Sequence, residues 1–274
     1  MNSNQMHHAP RTTHHGCRII AVLNFKGGTG KTTTAVNLGM ALALKGQRVL
    51  LVDLDSQGAL ATSLGLQPVT TLTALLHGQA EIDECVVTAR QRLDVIPSDH
   101  RLANTDRALR SREIPELALT RRLQAVEDRY DFILLDCAPT ATWLSESALY
   151  SAREVFVPVS MEYLALVGAR QVIIEVLRAR RLRPKYSAYI SLVIPTFYDK
   201  RLRKTAEAMR MLERYFPGAV SAPIRTTVRL SEAPSHHQTI FEYDPKGPGA
   251  HDYRRLAERV LENNAGEEVT TFPG

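Results

Sequence analysis

Cysteine is scarce: the 274 residues hold Cys17, Cys85 and Cys137 and no others. They are too far apart for a CxxC metal site and suggest no disulfide framework, so reduced thiols are expected. No apolar run approaches the roughly 20 residues that cross a bilayer. The polar start MNSNQMHHAPRTTHHG lacks the apolar stretch of a secretory signal. A cytoplasmic protein is the expectation. Internal repeats are absent, and no linker is long enough to part the chain into two domains.

With 44% hydrophobic residues the chain can bury one substantial core. His7, His8, His14 and His15 have the chemistry to hold a metal, but a flexible polar tail is the simpler reading. Residues 1–17 are therefore expected to be a tail, 18–263 a single domain and 264–274 a short closing tail. The formal charge of +5 is unevenly spread: between Arg178 and Arg214, eleven basic residues stand against three acidic ones. Such a segment suits a polyanionic partner, and equally a solvated helix face.

Short apolar runs alternate with longer helical patterns. RIIAVLN (18–24), RVLLVDLD (48–55), RLDVIPS, DFILLDC, EVFVPVS, YISLVIP and AVSAPI read as strands. Helices are expected over 32–46 and near 116–129, 144–152, 164–181, 202–215 and 252–263. This repetition predicts an α/β fold, a doubly wound, mainly parallel sheet flanked by helices.

NFKGGTGKTTT (24–34) lies between the first strand and the first helix. The standard phosphate loop GxxxxGK[ST] would need a glycine where Phe25 stands. Gly27, Gly28, Thr29, Gly30, Lys31, Thr32 and Thr33 nevertheless carry the required physics. Glycines let backbone N–H groups close around a polyphosphate, and the helix N-terminus adds its positive end. Lys31 can reach the outer phosphates, and Thr32 can ligate magnesium. Lys26 adds a second cation at the start of the loop, which is either a solvated loop lysine or has an anionic oxygen of its own to meet.

KGGTGKTT resembles the deviant Walker A motif of the ParA/Soj and MinD group, within the SIMIBI branch of the P-loop NTPases. The resemblance implies an ATPase domain using ATP and Mg2+, with Lys26 reaching across a dimer interface to the partner's nucleotide. DLDSQG (53–58) resembles the family's DxDxQG stretch, in which Asp55 helps position the attacking water near magnesium. FILLDCAP (132–139) supplies the Walker B element with Asp136, so Thr32, Asp55 and Asp136 surround the metal. PVSMEYLALVGARQ (158–171) and VRLSEAPSHHQTIFEYDPKGPGAHDYRRLAERV (228–260) extend the likeness toward the short chromosomal Soj branch, over about residues 18–263. Where that branch reads I-P-R-N, this chain has Ile224, Arg225, Thr226 and Thr227; Arg225 and Thr227 thus stand where the resemblance expects adenine. Ser56 and Ala59 replace the commoner proline and asparagine, changes expected to tune hydrolysis without removing its parts.

The same resemblance implies an ATP-dependent homodimer that binds double-stranded DNA without sequence preference. Arg201, Arg203, Lys204 and Arg229 are the candidate contacts, and a ParB-like or other cargo-adaptor protein is the partner. A nucleoid-associated location follows. A MinD-like membrane ATPase would share the loop, but the apolar stripe Tyr253, Leu256, Ala257, Val260 and Leu261 reads as core, and its acidic sequel ENNAGEEVTTFPG does not suit anionic lipid. A metal-cluster reductase or arsenite-type pump would need a cluster-ligand pair that Cys85 and Cys137 do not form. An ATP-dependent small-molecule synthetase is the remaining enzymatic alternative. The absence of an NKxD element favours adenine over guanine, and the residues ahead of the first strand leave no room for an N-terminal DNA-binding domain.

Overall fold

Runs apolar at every position, rather than at alternate ones, make strands covered on both faces, and such runs form the centre of this protein. The computed structural model describes residues 16–105, 109, 114–161, 165–185 and 188–263, with side chains left out at 165–167. Seven strands, β1 (Arg18–Val22), β2 (Val49–Leu54), β3 (Val87–Arg90), β4 (Leu93–Ile96), β5 (Phe132–Cys137), β6 (Glu154–Ser160) and β7 (Tyr189–Thr196), form one sheet in the order β3-β4-β2-β5-β1-β6-β7. Every residue of β2, β5 and β6 is buried. All neighbours run parallel except β3 and β4.

Strand alternation divides the core into two layers. Ile19, Ala21, Leu50, Val52, Ile133 and Leu135 face one side, and Ile20, Val22, Leu51 and Leu134 the other. The first layer is covered by α2 (Pro115–Leu123), α3 (Trp143–Ser151) and α4 (Ala165–Leu182), with α5 (Arg203–Tyr215) at its margin. The second lies under α1 (Lys31–Leu44) and α6 (Pro248–Glu262). A fully buried leucine such as Leu38 contributes on the order of 1.5–3 kcal/mol. Gly39 lets α1 press onto the sheet, since a Cβ there would come within 2.8 Å of Leu51 Cδ2. That close seat sets where the N-terminus of α1 points.

AVSAPI does not form a regular strand. Val193 donates to the Ala219 carbonyl, Ser221 to Val193 and Ile224 to Pro195, but only isolated bridges result, Val193 with Val220 and Tyr198 with Arg225. Pro195 and Pro223 each lack the N–H that a continuous ladder would use. The short edge strand β3 was not expected, because VTAR is half-exposed and carries no apolar signal. The stripe on α6 is core: Tyr253, Leu256, Ala257 and Val260 are buried and Leu261 packs partly against them. No helix among the described residues is long and apolar enough to cross a membrane. His7, His8, His14 and His15, the closing tail and Glu162 to Leu164 lie outside the described residues.

Candidate functional site

The strand-to-helix turn at residues 23–31 is held from both ends. Buried Asn24 donates through Nδ2 to the Pro158 carbonyl at 2.7 Å, and its Oδ1 accepts from the Lys26 backbone N–H at 3.0 Å. Helix α4 approaches Asn24 so closely that a Cβ on Gly168 would meet its Oδ1 at 2.6 Å. On the far side Thr196 Oγ1 donates to the Thr29 carbonyl at 2.9 Å. Between these anchors Gly28 and Gly30 adopt φ of 71° and 84°, a left-handed conformation that costs other residues strain. Gly27 and Gly28 are exposed, with nothing within 4 Å of a Cβ on either. The open side of the loop can therefore take a phosphate chain.

Lys31 is buried at the start of α1, and its Nζ donates to the Lys26 carbonyl at 3.2 Å. Burial lowers its pKa, while Asp136, Cys137 and Asp55 act in the opposite sense. An ammonium has three protons, so donors remain for an anion. Thr32 Oγ1 donates to Asp136 Oδ2 at 2.7 Å. Asp136 Oδ1 is buried without a hydrogen-bond partner. Burial and the neighbouring charge of Asp53 push the Asp136 carboxyl well above its ordinary range, against the pull of Thr32 and Lys31. A hydroxyl beside an unsatisfied carboxylate oxygen is a donor set for a hard divalent cation. Magnesium thus fits Thr32 and Asp136, where it would supply charge against the phosphate oxygens.

Asp55 lies just beyond β2 and is half-exposed; its Oδ1 accepts from the Gln57 N–H at 3.1 Å. Two residues that sequence reading did not single out shape its loop. Asp53, paired in register with Asp136, accepts from the backbone N–H groups of Asp55 and Leu60, both at 3.0 Å. Burial raises the Asp53 carboxyl to about 7. Ser98, just past β4, donates its hydroxyl to the Asp55 carbonyl. Only the DLD spacing hinted at Asp53; Ser98 becomes visible through the strand order.

The positions expected near adenine are otherwise engaged. Arg225 grips the buried Asp252 of α6, donating from its backbone N–H and Nε at 2.9 Å and from Nη2 at 2.8 Å. The Thr227 hydroxyl caps the short helix Val228–Glu232 by accepting from the Arg229 N–H. Arg201, Arg203, Lys204 and Arg229 are all exposed. Arg201 pairs with Asp199 at 2.7 Å, and Arg229 with Glu232 at 3.1 Å and, over its ring, with Tyr243.

A family described as an AAA domain matches residues 17–186. The chain is 38% identical to the sporulation initiation inhibitor protein Soj of Bacillus subtilis over 90% of this chain and 99% of that protein. It is 38% identical to the chromosome partitioning protein ParA of Caulobacter vibrioides, over 89% and 94%. Among solved structures, cobyrinic acid a,c-diamide synthase from Mycobacterium smegmatis, with bound ATP analogue and magnesium, aligns with a TM-score of 0.78 at 30% identity, covering 90% of this chain and 95% of that one. The cell division ATPase MinD of Pyrococcus furiosus aligns at 0.72 and 26%, covering 89% and 98%. The synthase binds an ATP analogue and magnesium, and ATP with magnesium fits this loop and this donor set. The chain belongs to the ParA/Soj family of deviant Walker A ATPases.

Proposed function

We propose that this ATPase is a dimerising switch that binds DNA without sequence preference and moves or spaces a cargo held by a ParB-like or other adaptor protein. In the ATP state two subunits close face to face. Lys26 of each reaches the partner's nucleotide and stabilises charge there, as an arginine finger does. Lys31 holds the outer phosphates in its own subunit, Thr32 and Asp136 hold magnesium, and Asp55 orients the attacking water. Hydrolysis opens the pair, and an adaptor that speeds it releases the dimer locally from the nucleoid.

The observation that carries this reading is a mechanical one. The β7 end that anchors the phosphate loop through Thr196 continues into the turn bearing Arg201. Tyr198 in that turn is bridged to Arg225, four residues before Arg229. The candidate basic contacts therefore sit on two neighbouring segments, one tied to the nucleotide loop and the other to that first segment. The pairs that Arg201 makes with Asp199 and Arg229 with Glu232 lie at the surface, where ion pairs contribute little, and a DNA phosphate can replace them.

Fluorescence anisotropy on a nonspecific duplex tests the switch, with ADP, with ATP and magnesium, and with ATP on Asp55→Ala. Binding only with ATP, stronger in the variant, is expected. No binding in any nucleotide state would leave the basic segment an ordinary solvated surface. ATP turnover that required an added small-molecule substrate and ignored DNA would favour the synthetase reading instead.

A further inference from the structure

Asp55 opens the turn Asp55–Gly58 that leaves the end of β2, and its backbone is held at both polar groups. The N–H donates to Asp53 Oδ1 at 3.0 Å. The carbonyl accepts twice, from the Gly58 N–H at 3.1 Å and from the Ser98 hydroxyl. The half-exposed carboxylate spends Oδ1 on the Gln57 N–H, which leaves Oδ2 to face water. One backbone donor already satisfies the carbonyl, so the bond from Ser98 adds direction rather than satisfaction.

Of these holders only Ser98 comes from outside β2 and its turn. It is buried, 5% exposed, and both of its neighbours are fixed. The Pro97 carbonyl accepts from the Leu72 N–H at 2.8 Å. Asp99 accepts from the buried hydroxyls of Thr71 and Thr73, at 2.5 and 3.1 Å, and from the Arg101 N–H at 2.8 Å. The Ser98 carbonyl also abuts the far end of the turn: a Cβ on Gly58, φ 66°, would lie 3.5 Å from it. Ser98 is thus gripped on both sides and set against both ends of the turn. Because β4 lies beside β2 in the sheet, the end of one strand serves as a post for the loop of the next.

We infer that Ser98 is a positioning residue for ATP hydrolysis: through the Asp55 carbonyl it fixes the turn from which the Asp55 carboxylate meets the attacking water, and so sets how fast the switch reopens. The inference rests on the water-orienting role proposed for Asp55. Steady-state ATPase assays on the full chain with Mg–ATP, without DNA or adaptor, test it beside calorimetric titration of Mg–ADP. Ser98→Ala should lower kcat about tenfold, the order expected when one hydrogen bond that holds a reacting group is lost. KM, ADP affinity and ATP-dependent dimerisation should stay at wild-type levels. Ser98→Cys, which nearly keeps the volume but is a poor donor, should fall with the alanine variant, and it carries the test if the alanine variant does not fold. Wild-type kcat in either variant would overturn the inference. A fall in kcat accompanied by matching losses of ADP affinity and melting temperature would overturn it too, because Ser98 would then only support the fold. Asp55→Ala that hydrolysed ATP at the wild-type rate would remove the role on which the inference rests, a failure read without any Ser98 variant.

Discussion

At the scale of single residues, the roles proposed for Lys26 and Asp55 can be tested separately. Lys26→Ala should abolish the closed ATP dimer, seen by analytical ultracentrifugation, while nucleotide binding persists, because Lys31 and the glycine loop are untouched. Unchanged dimerisation would refute the role in trans. Asp55→Ala should lose hydrolysis yet keep ATP dimers. Loss of both would make Asp55 structural, a live outcome given that its loop is held by Asp53 and Ser98. The cysteines should be inert. Burial pushes the Cys85 thiol up to about 11 and Cys17 to about 12, and burial with the nearby Asp136 charge pushes Cys137 higher still. All three stay protonated at pH 8 and should react with a thiol reagent only after unfolding.

At the scale of elements, the phosphate loop depends on the packing of helices that contribute nothing to its motif. Gly168→Ala would drive a methyl into Asn24 Oδ1 and free the Lys26 N–H it holds. A stability loss of roughly 1–3 kcal/mol and weaker ATP binding are expected, read by thermal melts with and without Mg–ATP. Equal melting behaviour would remove Asn24 as an anchor. These contacts explain which parts of the site were legible beforehand. Gly27 to Thr33 announce themselves because their chemistry is local: a strand, a turn and a helix contiguous in the chain. Asp53, Ser98 and Asn24 act through partners 2 to 134 residues away, and no spacing rule connects Ser98 to Asp55. The misread AVSAPI run shows the converse, since its apolar pattern was right but prolines interrupted the ladder that the pattern implied.

At the scale of the molecule, the basic surface and the nucleotide crevice should behave as one device. DNA affinity should fall with salt at a logarithmic slope of about 0.9 per phosphate neutralised. Replacing Arg201 and Arg229 together by alanine should flatten that slope without altering ATP binding. A double variant with wild-type affinity and slope would reassign the contacts, with Arg203 and Lys204 next to be tested.

By itself the sequence determined the fold class, the succession of the central strands and helices along the chain, and the identity of the phosphate-binding loop, because each follows from local periodicity or from contiguous residues. It also carried the family resemblance that named Asp55 and Asp136 before any neighbour was known. Tertiary structure decided how those parts meet. Strand order set β2 beside β5 and so Asp53 beside Asp136; it turned Arg225 toward Asp252 and left Phe197 beside the loop. The reason is physical: hydrogen bonds and ion pairs between distant segments form only after the apolar strands have collapsed into register, and the chain's local pattern does not specify which polar groups that collapse brings face to face.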